Sequence, residues 1–155
     1  LHPFCTRAYI EDVVTPRIES GLSESGKSRD TFQVAGGGFL ATGETDDVVA
    51  KAVEWVRYRI AFYGSTPAYK QVLGVHGWGD LQIELNALSK QGQWAEMSNL
   101  ISDEMLNTMG IMAAPSAIVP EMKQRYGDFT DRTSGAFGFV DHDTRTEMVA
   151  ALRAG

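Results

Sequence analysis

Cysteine is almost absent: Cys5 is the only thiol in 155 residues, so neither an internal disulfide nor a cysteine metal cluster can form. A lone thiol fits a reducing compartment, and the chain is expected to be cytoplasmic. Histidine is nearly as scarce. His2, His76 and His142 stand far apart, and only His142, between Asp141 and Asp143, has neighbours that could share a metal, so no metal site is expected. Basic residues are also few, 14 against 20 acidic, for a net charge of −6. They are scattered singly, with Arg57 and Arg59 the nearest thing to a pair, which argues against nucleic acid and against a polybasic membrane patch. No apolar run approaches the roughly 20 residues that span a bilayer. No basic segment followed by an apolar one opens the chain either. An initiator methionine is missing: the chain starts Leu1-His2-Pro3-Phe4 and reads as a piece of something larger.

What is present is ordinary for a globular protein, with 43% hydrophobic and 22% charged residues. Ile10, Val13, Val14, Ile18 and Leu22 recur at helical spacing, interrupted at Pro16, where Thr15 is placed to cap a second segment. A strand is expected from Thr31 to Ala41, across Gly36-Gly37-Gly38. Thr45-Asp46-Asp47 starts a helix whose buried stripe is Val49, Ala52, Val53, Val56 and Ile60. Further helical pieces follow at 67–73, 81–89, 94–101 and 103–109, the last capped by Ser102. Ile111-Met112-Ala113 reads as a short extended piece. A helix over 116–126 would hold Pro120 near its first turn. Then come a strand over 134–140, a loop at Asp141-His142-Asp143 and a closing helix over 144–153. Helices alternating with few strands make the chain α/β, and too few strands to close a sheet of its own imply that it belongs to a larger sheet or barrel.

Two motifs invite chemistry. Gly21-Leu22-Ser23-Glu24-Ser25-Gly26-Lys27-Ser28 fits the phosphate-binding G-x-x-x-x-G-K-S pattern, and Phe137-Gly138-Phe139-Val140-Asp141 mimics the acidic strand that accompanies it in nucleotide hydrolases. A phosphate loop needs a strand to enter and a helix to leave. Here a helix enters, so a glycine helix end is the competing account. The second motif is the run Phe62-Tyr63-Gly64-Ser65-Thr66-Pro67-Ala68-Tyr69 with His76-Gly77-Trp78-Gly79-Asp80. Its rings either pack a helix junction or line a pocket for a flat polar ligand.

That second run, with Leu85-Asn86-Ala87-Leu88 and Gly92-Gln93-Trp94-Ala95-Glu96-Met97, resembles the C-terminal part of the luciferase-like monooxygenase superfamily. Within it the likeness is to coenzyme F420-dependent oxidoreductases of the methylenetetrahydromethanopterin reductase type, and it covers nearly the whole chain. The resemblance implies that residues 1–155 form a single C-terminal portion of a (β/α)8 TIM barrel, with a long helical insertion before the last strand. A whole barrel needs about 250 residues. It further implies an enzyme that moves a hydride between coenzyme F420, or alternatively FMN, and a small organic substrate. The pocket candidates are His2, Thr6, Arg7, Gly36, Gly37, Gly38, Tyr63, Tyr69, His76 and Trp78, and no catalytic residue is assigned. An open sheet would make a homo-oligomer, or pairing with the complementary barrel half, the expected partnership. A non-enzymatic binding or assembly module and a P-loop NTPase remain the alternatives.

Overall fold

Thr6 starts the first helix: its hydroxyl accepts the Tyr9 N–H and caps α1, Arg7–Tyr9. The helix does not stop at Pro16. A π-helical turn, Ile10–Val14, leads without a break into α2, Thr15–Glu24. Thr15 is therefore not a cap. It has helical dihedrals, and its N–H donates to the Ile10 carbonyl five residues back. The wider turn accommodates the donor that Pro16 lacks. The computed structural model that shows this describes residues 1–133, 135 and 137–154.

β1, Phe39–Ala41, is much shorter than the strand expected over 31–41, because Arg29–Thr31 winds into a 3-10 turn and the glycine segment stays irregular. Five helices follow: α3, Asp46–Gly64; α4, Lys70–Gly74; α5, Gly79–Lys90; α6, Trp94–Asn99; and α7, Asp103–Met109. The hydroxyls of Thr45 and Ser102 cap α3 and α7 as expected. β2, Gly110–Met112, then pairs with β1 in parallel, matching Phe39 with Gly110, Leu40 with Ile111 and Ala41 with Met112.

The last third departs furthest from expectation. α8, Pro115–Tyr126, takes Pro115 into its first turn, which places Pro120 inside the helix. α9, His142–Arg153, begins two residues early because the Asp141 carboxylate caps it, accepting the Thr144 N–H at 2.7 Å. The strand expected over 134–140 is not formed by residues 135 and 137–140; Ser134 and Ala136 lie outside the described residues. Among the described residues, pairing at this edge is a single parallel bridge between Ala35 and Arg132, and the chain turns at Gly138 and Phe139.

Alternation along the strands sorts the core into two layers. Phe39 and Ala41 pack with Phe4, Val56, Ile60, Leu73, Leu85 and Met97 beneath α3 to α7. Leu40 and Ile111 face the other way, onto Ile10, Ile118, Met122, Phe137 and Met148 from the π turn, α8, the following loop and α9. The molecule is thus α/β and mostly helical, with helices on both faces of a small parallel sheet. The open sheet expected of a barrel piece has both its faces covered here by the chain's own helices.

Candidate functional site

The ten candidate residues fall into three groups. The first is an aromatic nest beside the start of β1. The His2 ring stacks on Tyr69 with centroids 5.0 Å apart and meets Tyr63 edge-on at 4.4 Å. Phe39 stacks on Tyr63 at 6.0 Å, and Phe4 is buried below both tyrosines. Arg59 lies over the Tyr63 ring at 4.9 Å and donates to its hydroxyl at 2.5 Å. Burial, reinforced by the Arg59 charge, holds the His2 imidazole below its ordinary pKa, and its Nδ1 accepts the Phe4 N–H.

The second group joins two distant segments. Thr6 Oγ1 and His76 Nε2 are 2.7 Å apart, although 70 residues separate them. Thr6 is 1% exposed, and His76 stacks on Trp78 at 4.7 Å. Burial lowers the His76 pKa, opposed by the charges of Asp12 and Glu104. Its neutral ring can therefore accept the Thr6 proton while Thr6 accepts from Tyr9. Arg7 adjoins this pair but faces elsewhere. It bonds Glu11 at 2.8 Å and Asp128 at 2.5 Å, donates to the Arg125 carbonyl at 3.1 Å, and stacks on Phe129.

The third group is the glycine segment. A Cβ built on Gly36 would come within 2.7 Å of the Leu1 side chain, and one on Gly38 would overlap the Tyr126 hydroxyl. Gly37 lies between them in irregular chain. The room left by these glycines is filled by the protein's own side chains. A flat cofactor ring finds no open cradle at these glycines. Among the described residues no cluster of three or more metal-ligating side chains occurs.

The Gly21–Ser28 pattern is a helix end. Gly26 has φ +64°, the Lys27 N–H donates to the Leu22 carbonyl at 2.9 Å, and the Gly26 N–H donates to the Ser23 carbonyl at 3.1 Å. Carbonyls, not amides, gather where a phosphate would lie.

Tyr126 and Arg125 are the residues that sequence reasoning missed. The Tyr126 hydroxyl is buried without a hydrogen-bond partner. Burial pushes its phenol pKa up, against the pull of the adjacent Arg125 charge. Arg125 Nη1 reaches the carbonyls of Gly110 at 2.8 Å and Asn107 at 3.0 Å. An Arg-Tyr-Gly triplet at a helix end is the signal that could have drawn attention, since that is where carbonyls of neighbouring elements need cations.

A family model described as luciferase-like monooxygenase matches residues 2–132. The chain belongs to the luciferase-like monooxygenase family. Uncharacterized proteins of Mycobacterium tuberculosis and Mycobacterium bovis are each 41% identical over 136 residues, covering 88% of this chain and 40% of their own length. A 5,10-methylenetetrahydromethanopterin reductase of Archaeoglobus fulgidus is 27% identical over 120 residues, 73% of this chain and 34% of its own. The chain thus spans about two-fifths of the length of the mycobacterial proteins it matches. No described helix is long and apolar enough to cross a membrane.

Proposed function

We propose that this chain supplies the C-terminal part of a luciferase-like (β/α)8 barrel that transfers a hydride between coenzyme F420 and a small organic substrate, with FMN as the alternative cofactor. The observation that carries the reading is the family match across residues 2–132, joined to the likeness to a reductase of methylenetetrahydromethanopterin. The filled glycine segment adds a condition. Ring contacts belong to barrel strands beyond this chain, and Leu1 and Tyr126 shift when those strands pack against it. The aromatic nest of His2, Tyr63 and Tyr69 lines the substrate side in this reading, and Thr6 with His76 holds the junction below it.

The partner is the complementary barrel portion or a second copy of the chain. Trp55, Tyr58, Phe62 and Trp94 support this, each at least 40% exposed. Phe62 packs against both Tyr58 and Trp94, so the rings of α3 and α6 form one apolar stripe with Trp55 a turn away.

The test titrates F420 and FMN separately into the purified chain, alone and mixed with a polypeptide that supplies the earlier barrel strands, following cofactor fluorescence. Saturable binding in the mixture, with little in the chain alone, is expected. Absence of binding in both samples would overturn the assignment.

A further inference from the structure

A cleft of about 350 Å³ opens where the N-terminus of α1 meets the C-terminal ends of α7 and α8, lined by Thr6, Arg7, Glu11, His76, Thr108 and Arg125 among others. It lies at the end of the sheet where the strands begin, since Gly110, the first residue of β2, is held by Arg125.

Its charges are unevenly satisfied. Glu11 and Asp128 are both engaged by Arg7. Arg125 has no carboxylate within 4.0 Å among the described residues, although Glu121 lines the adjoining hollow. Among the described residues, Nη1 of Arg125 donates to the carbonyls of Asn107, Thr108 and Gly110, and the side chain also acts on the neighbouring Tyr126 hydroxyl. That three-carbonyl grip fixes the guanidinium and leaves its remaining N–H donors for a ligand. Beside it, the Thr6 bond orients the His76 ring. Asn107 and Thr108 also line the cleft, and their side chains carry neutral donors.

We propose that this cleft binds the phosphate group of a small molecule, free or esterified, with Arg125 as its charged anchor and His76, Asn107 and Thr108 as neutral donors around it. A fixed cation beside neutral hydrogen-bond donors suits a compact tetrahedral anion. The site stands apart from hydride transfer. It uses none of the aromatic nest, and it binds or fails to bind whatever cofactor the barrel takes.

The experiment titrates inorganic phosphate, and in a second arm glycerol 3-phosphate, into the full chain at constant ionic strength, reading the His76 ring resonances and the thermal midpoint. A saturable shift of His76 with a raised midpoint is expected. The exposed change Asn107→Asp puts a like charge into the cleft without touching the Arg125 grip, and should weaken binding about tenfold or more. Lys90→Gln, at the far end of α5, should leave it unchanged. Tighter binding of the ester assigns the site to a phosphorylated metabolite, and equal binding assigns it to the free anion. No saturable shift in either arm, or binding untouched by Asn107→Asp in a variant with a native circular dichroism spectrum, would overturn the proposal.

Discussion

The two faces of the sheet are built to different standards of completeness. Beneath α3 to α7 lie most of the largest fully buried side chains, Phe4, Ile60, Leu73, Leu85, Met97 and Met109 among them. Three buried polar groups of that layer have partners, Gln82 donating to the Ser65 carbonyl, the Ser65 hydroxyl to the Phe62 carbonyl and Thr6 pairing with His76, while the buried Arg59 Nε has none among the described residues. The opposite layer, under the π turn, α8 and α9, contains the unpartnered Tyr126 hydroxyl. It also keeps an apolar hollow between α8 and α9, lined by Val119, Pro120 and Met148. The first layer is a closed helical core, whereas the second is assembled from segments that meet imperfectly. The helices α3 to α7 bury one another over a continuous core, whereas α8, α9 and the loop between them leave a hollow at their junction.

The sharpest way to break the comparison is to cut one large side chain from each layer. Leu85 is fully buried and touches the space beside Gly64, so Leu85→Ala should cost about 3 to 4 kcal/mol of unfolding free energy. Met148 is also buried, but it borders a hollow into which neighbours can relax, and Met148→Ala should cost about 2 kcal/mol. Urea denaturation of both variants measures the gap. Equal losses would mean that the second layer is as tightly packed as the first.

A smaller effect separates a packing fault from a useful contact. Tyr126→Phe removes a buried hydroxyl that bonds to nothing, so stability should stay level or rise by about 1 kcal/mol. Gly38→Ala should cost about 1 to 3 kcal/mol because its methyl runs into that hydroxyl. In the double variant most of the loss should vanish. Simple additivity of the two changes would show that the tyrosine ring does not sit against Gly38.

The same division decides how much can be read from the amino acids. In the first layer local and tertiary preferences agree. Thr45 and Ser102 cap the helices they precede, and the stripe from Val49 to Ile60 is the inward face of α3, except that Val49 and Val53 stay partly exposed. In the second layer, elements depend on partners that composition cannot supply. Residues 137–140 have a strand's apolar character, but no described neighbouring strand extends far enough to pair with them, and Phe137 and Val140 pack as loop residues instead. Pro16 shows the opposite failure: the proline is legible, while the π turn that absorbs it depends on Ile10 packing onto the sheet. Of the candidate residues, the Thr6 and His76 pairing is invisible in the sequence because it joins chain segments far apart, and Arg125 escapes notice because its work is done through backbone carbonyls.

The smallest expected effect concerns acid, and it too follows the division, since the ion pair involved ties α1 to the loop after α8. The Arg7 hydrogen bond holds the Asp128 carboxyl below its ordinary range, opposed by burial, with the Arg7 charge adding a smaller pull. A carboxyl with a lowered folded pKa binds fewer protons in the native state than in the unfolded chain. Its contribution is therefore fully present above the unfolded value, near 3.9, and is lost as pH falls through the folded value. Both partners are well exposed, so screening by solvent keeps the contribution small. Asp128→Asn should leave unfolding at neutral pH close to that of the parent and slightly flatten the decline below about pH 4, with the difference shrinking as salt is added. Unfolding curves taken between neutrality and about pH 3, in low and high salt, measure this. A loss of stability in the Asp128→Asn variant that was greatest in high salt at neutral pH would show that the aspartate acts through packing rather than through the charge of Arg7.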